Sequence, residues 1–147
     1  MIVFGNREHG RRIAEFAGSS FNWNVDVVAA RVEGDKLLGG VVFYGYTGAS
    51  IRVTLAGFQP NWANRDLLFV AFDYPFRQLS CRNLFVQLAA SNTKSLELAK
   101  NLGFKIVATV PDVYVTGDEL ILGMRREECR FLDITPRSLQ TGKGAEE

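Results

Sequence analysis

The sequence predicts a mixed α/β (α+β) domain: a mostly antiparallel sheet with a parallel strand pair and helices on both faces. Three observations carry this. Residues 25–32, 37–46 and 50–58 are β-rich runs around tight turns, as in an antiparallel meander. The apolar period then changes to three and four at Leu68, Phe72, Phe76 and Leu79, which marks a helix. A strand follows that helix, so 50–58 and 81–90 are expected as parallel neighbours joined by a right-handed crossover.

The elements follow in order. Residues 6–16 begin polar and carry Ile13, Ala14 and Phe16, a short helix with Asn6 as N-cap and Gly10 as a weak point. Gly18, Ser19 and Ser20 end it. Glu33-Gly34-Asp35-Lys36 is the turn of a hairpin, and Thr47-Gly48 the next turn. In 50–58, Ile51, Val53 and Leu55 share one face. Pro75 lies inside the helical stripe of 63–79, where it removes one backbone bond and predicts a kink or an early end. In 81–90, Leu84, Val86 and Leu88 alternate against Phe85, Gln87 and Ala89. Residues 93–102 form a second crossover helix, with Asn92 as N-cap, Gly103 as the left-handed C′ residue and Phe104 packing back on the last turn. A strand at 105–110, a loop at 111–117 and a strand at 118–125 close the order α-β-β-β-α-β-α-β-β. No repeat or linker divides the chain. Residues 1–135 are expected as one domain, and 136–147 as a polar, frayed tail.

The chain has 147 residues, which suits one domain. With 17 Lys+Arg against 16 Asp+Glu, no basic face points to nucleic acid or an anionic membrane. Two cysteines, Cys81 and Cys129, exclude a disulfide scaffold and read as buried, inert thiols. A single histidine, His9, excludes most His-based metal centres, so no metal site is expected. No apolar stretch approaches the ~18 residues of a membrane helix, and a cytoplasmic location is expected. Gly142-Lys143-Gly144 lacks the strand, first glycine and helix of a phosphate loop. Arg125 to Arg130 mixes charges and reads as a solvated strand end.

The informative segment is NTKSLELAKNLGF at 92–104, after the strand 82–90. A strand ending in Asn92, a small residue three positions on at Ser95, and a helix closing on Gly103-Phe104 resembles the second half of the GNAT superfamily, the acyl-CoA-dependent N-acetyltransferases. The likeness extends more loosely over 25–128, and the element order matches that fold. The run YPFRQLSCR at 74–82 is similar to the ribosomal-protein and N-terminal-amine acetyltransferase branch. Any well-capped helix would show the same Asn and Gly-Phe, and Asn92 can do both jobs, because its amide has two donors and an acceptor.

The resemblance implies acetyl-CoA as co-substrate, with Asn92 bonding the pantetheine arm or the substrate region and Ser95 beside it. It also implies that in the central parallel pair the strand before the middle helix splays from its neighbour, and that its backbone groups at Leu55, Ala56, Gly57 and Phe58 contact pantetheine and thioester, Gly57 fitting a close backbone approach. A strand-end bend is the other reading of Gly57. One hallmark departs from the pattern. Where the superfamily places Gln/Arg-x-x-Gly-x-Gly/Ala, this chain reads Gln59-Pro60-Asn61-Trp62-Ala63-Asn64. Either the phosphate cradle survives in altered form, with helix amides near Asn64 and Arg65, or CoA is no longer bound in the usual way. Trp62 reads equally as a lid over the end of the core.

Acetyl transfer needs a neutral amine, aligned reactants and stabilisation of the developing oxyanion. Many members place a Tyr seven residues after the Asn as acid to the leaving thiolate, and here that position is Ala99. Tyr114 is the substitute, with surface packing as its other reading. His9 titrates suitably for a base but reads as an exposed helix histidine. By analogy with the superfamily, direct transfer to a primary amine on a small molecule or peptide is expected, and no acyl-enzyme nucleophile stands out. The alternatives are a catalytically silent GNAT-like domain binding acyl-CoA or a protein, and a structural domain keeping only the scaffold. A homodimer is the oligomer that family analogy suggests.

Overall fold

The computed structural model describes residues 1–17, 22 and 26–134. The helix stop at Gly18-Ser19-Ser20, the first residue of the strand at 25–32, and the boundary and tail at 135–147 lie outside the described residues.

The described elements are β1 (Ile2–Phe4), α1 (Arg7–Phe16), β2 (Val27–Glu33), β3 (Lys36–Tyr44), β4 (Ser50–Gly57), α2 (Arg65–Asp73), β5 (Asn83–Ala89), α3 (Thr93–Leu102), β6 (Lys105–Tyr114) and β7 (Gly117–Arg125). They build one seven-stranded sheet in the order β1-β2-β3-β4-β5-β7-β6. Every neighbouring pair is antiparallel except β4 and β5. No helix among the described residues is long and apolar enough to cross a membrane.

Strand alternation sends side chains to two faces, each with its own core. On one, Ile13 of α1 packs with Val28, Ala30, Val42 and Ala56. On the other, Phe72 of α2 and Ala99 and Leu102 of α3 pack with Val41, Phe43, Val53, Leu84 and Leu122. The helix ends obey local chemistry. The Asn6, Asn64 and Asn92 side chains accept from the N–H groups of His9, Leu67 and Ser95 at 3.0, 2.9 and 3.2 Å. Gly103 takes φ 111°, and the Phe104 N–H reaches back to the Ala99 carbonyl at 3.0 Å, which closes α3 as expected.

The structure corrects two local expectations and refines two others. β1 pairs with Ala29–Arg31 of β2, and three residues are too few to show a period. At Pro75 the expected early end holds for the α-helix, which stops at Asp73, and the coil continues beyond it. The backbone widens into a π turn over Tyr74–Gln78, which accommodates the proline's missing N–H. The expected loop at 111–117 is largely strand, because β6 runs on to Tyr114 through irregular pairing with Asp112 at φ 56°. Pro111 is tolerated there because β6 is an edge strand. After Arg125 the solvated strand end is as expected, with Arg125–Glu128 and Arg130 exposed, and the chain goes on through two short 3₁₀ segments, Arg126–Glu128 and Arg130–Asp133, the second of which buries Phe131.

Burial makes the fold sensitive to base. It pushes the Cys81 and Cys129 thiols above their usual 9.0, and the Tyr44 and Tyr74 hydroxyls above 10.0. Groups whose folded pKa is raised stabilise fully below the unfolded value and lose that contribution as pH climbs through the folded one. Urea midpoints are therefore expected to hold up to about pH 9 and fall progressively from there to pH 11. A midpoint unchanged at pH 11 would contradict this.

Candidate functional site

β4 and β5 are bonded over only three residue pairs, Ser50–Asn83, Ile51–Leu84 and Arg52–Phe85. Beyond them β4 stays paired to β3 as far as Gly57–Gly39, and β5 stays paired to β7 as far as Ala89–Glu119. The sheet thus splits along its middle. The Phe58 N–H donates to the Leu38 carbonyl at 2.8 Å. Antiparallel pairing alternates, so Ala56 and Thr54 also turn their backbone groups to β3, while those of Val53, Leu55 and Gly57 face the split. Unsatisfied backbone groups at such an opening are ready partners for a ligand.

Two cavities occupy the split. The first, about 450 Å³, lies between Val53–Leu55 and Val86–Ala89 and reaches Asn92, Ser95, Ala99, Tyr114 and Glu119. The second, about 590 Å³, runs along Leu55–Phe58 to Trp62 and Lys94. They share Ala17, Leu55, Asn92, Ser95 and Leu98, so they are continuous. Their sizes suit a small-molecule site. Leu55, Ala56, Gly57, Phe58, Asn92, Ser95 and Tyr114 thus come together around one opening. Asn92, which lines both cavities, spends its side-chain carbonyl on the Ser95 N–H, and its amide N–H groups are not used in that bond.

Asn64 and Arg65 line neither cavity. Asn64 is the cap of α2, and Arg65 is its exposed first residue. Asp66, in the same first turn, is the buried charged residue of the described chain. A carboxylate there already complements the helix dipole. The preceding loop is tied to the sheet: Asn61 takes φ 61°, Arg31 of β2 donates to its carbonyl, and the Trp62 indole lies on Gly39 and Gly57. The opening therefore fits a pantetheine-like arm, with Phe58, Trp62 and Leu98 as apolar walls. The helix end lacks the bare glycine cradle that a diphosphate uses, and Lys94 is the cation lining that cavity among the described residues.

The Tyr114 hydroxyl donates to Glu119 at 3.1 Å. Burial, and then this bond, push its pKa up, so it keeps its proton through neutral pH. His9 stands on α1 outside both cavities. Burial and then the neighbouring Arg12 lower its pKa, which keeps it neutral.

A family model described as "Acetyltransferase (GNAT) domain" matches residues 8–121. The chain belongs to the GNAT acetyltransferase family. It is accordingly an acyl-CoA-dependent N-acetyltransferase, as the segment 92–104 implied. No curated protein sequence matches it. Among solved structures it is similar to a single-residue variant of spermidine N-acetyltransferase SpeG from Vibrio cholerae, at TM-score 0.66 and 16% identity, covering 90% of this chain and 96% of that one. It is also similar to a GNAT-family acetyltransferase from Bacillus anthracis, at TM-score 0.61 and 12% identity over 86% and 96%. The N-acetyltransferase PseH of Campylobacter jejuni matches at TM-score 0.56 and 18% identity over 70% of each chain. At these identities the likeness shows the fold.

This GNAT domain gathers two residues at the split that the sequence reading missed. Tyr44 leaves β3 on the face opposite Phe43 and donates to Gln87 at 3.3 Å. Glu119 leaves β7 on the face opposite Leu122, where it meets Tyr114. Alternation gives each of them its side of a strand. Only the pairing of β5 with β7 brings Glu119 opposite Ala89, three residues before Asn92.

Proposed function

We propose that this chain transfers the acetyl group of acetyl-CoA directly to a primary amine held in the first cavity. The observation that carries the reading is the split between β4 and β5, with the Asn92 end of β5 and the N-terminus of α3 at its mouth. Acetyl-CoA would supply an activated thioester. The Leu55 and Gly57 backbone groups would align it along β4, and the Asn92 amide would bond the arm from the α3 side. In the balanced reaction a C–N bond forms and the C–S bond breaks. Of the two protons an ammonium sheds, one leaves on the thiol and one goes to solvent. Tyr114, kept protonated by burial and by Glu119, is our candidate for giving a proton to the leaving sulfur. The relatives named for spermidine act on an amine, which supports the acceptor class.

The test is a thermal melt with acetyl-CoA and CoA, followed by thiol release across a panel of amines. At a hundredfold excess over Kd, linkage raises stability by about 2.7 kcal/mol, which is about 5–10 °C for a domain of this size. No shift with either ligand would sink the proposal. A shift without thiol release for any amine would favour a binding domain.

A further inference from the structure

We infer that Glu119 receives the acceptor nitrogen, and that the acceptor is an aliphatic amine with no carboxylate beside that nitrogen. This rests on the acetyl-transfer reading and narrows its substrate. Among the described residues lining the first cavity, Glu119 is the one charged side chain, and no cation accompanies it. It is half-buried at the end of β7, opposite Ala89. Its Oε2 accepts one bond from Tyr114, and a carboxylate offers about four lone-pair sites, so capacity remains for an ammonium. Tyr44 and Gln87, already bonded to each other, add further polar atoms to the same wall. Burial keeps both tyrosines protonated, so Glu119 is the charged group among the described lining residues, while Arg52 and Asp26, of opposite sign, act on Tyr44 without lining the cavity.

The consequence is a sorting by charge. A cationic amine gains a counter-charge in a site partly shielded from water. A free amino acid brings a second carboxylate to the same place, where no lining cation can pair with it. The lining cation, Lys94, stands in the other cavity. The split is thus polarised, with its positive end toward Trp62 and its negative end toward the β6–β7 hairpin.

Propylamine and β-alanine, similar in size and differing by a carboxylate, provide the test. Thiol release at saturating acetyl-CoA gives KM and kcat for the natural chain, Glu119→Gln and Glu119→Asp. The natural chain is expected to show a KM for propylamine at least about tenfold below that for β-alanine, the size of effect lost with one charged hydrogen bond. Glu119→Gln should raise the propylamine KM about tenfold, change kcat less, and erase the preference. Glu119→Asp should restore part of it. An intact acetyl-CoA melting shift with equal use of the two acceptors overturns this inference and leaves acetyl transfer standing. Loss of both the shift and thiol release in the natural chain overturns the function, and this inference with it. If Glu119→Gln fails to fold, the preference of the natural chain decides alone: a propylamine preference supports the inference, and its absence ends it.

Discussion

Phe72→Ala is expected to destabilise the protein by about 3–5 kcal/mol, lowering the melting temperature by roughly 10 °C. Phe72 is 1% exposed. Its ring stacks on Phe131 with centroids 4.7 Å apart and planes within 10°, and it meets Phe104 at 6.2 Å. It therefore joins three parts of the chain that share no backbone pairing: α2, the C″ residue that closes α3, and the 3₁₀ turn after β7. Truncation removes both the transfer energy of the ring and the contacts of its neighbours, which can refill the space only by shifting elements held by the sheet. Phe4→Ala is the matching control. Phe4 is 56% exposed on β1, so its loss should move stability within about 0.5 kcal/mol. Urea midpoints on both variants check the pair. Equal small effects would mean that the second face of the sheet does not pack as described.

The parts legible in the sequence are those where one residue type does one local job. Asn92 and Gly103 mark the ends of α3 because an amide oxygen and a left-handed backbone are what helix ends demand. The alternation of Leu84, Val86 and Leu88 placed their shared face, and the change of period placed α2. Illegible parts depend on contacts between distant segments. β1 exists because β2 offers an edge, and nothing within Ile2–Phe4 says so. Pro75 signals an interrupted helix, but whether the chain breaks or widens depends on packing, here the burial of Phe76 at 0% exposure. The site divides the same way. Asn92 and Ser95 are visible through spacing within one helix turn. Glu119 and Tyr44 need the order of four strands before either can be placed near them. The substitution of Trp62 for a small residue was legible as a departure. Its physical meaning needed the two glycines on which the indole lies.

Those glycines set up the sharpest test of the split. Gly57→Ala is expected to cost about 3 kcal/mol and to abolish the acetyl-CoA melting shift, whereas Gly57→Ala combined with Trp62→Ala should be no less stable than Trp62→Ala alone. A methyl group built on Gly57 would fall within the indole of Trp62, and the three nearest atoms it meets all belong to that side chain. The indole must then swing away, and the space beside it is the second cavity, which Gly57 and Trp62 both line. Removing the indole removes the conflict, so the two substitutions should couple by about 3 kcal/mol. Gly39 supplies the contrast. A methyl there would meet Trp62 at 2.6 Å but also the Ala56 backbone carbonyl at 2.8 Å. That carbonyl belongs to the β3–β4 pairing and cannot yield as a side chain can. Trp62→Ala should therefore rescue Gly57→Ala and leave most of the defect of Gly39→Ala in place. Equal rescue of the two would show that Trp62 alone decides both positions. No rescue of Gly57→Ala would mean that the glycine is required by the β4 backbone itself, and the indole would then be a passive cover rather than the wall that shapes the cavity.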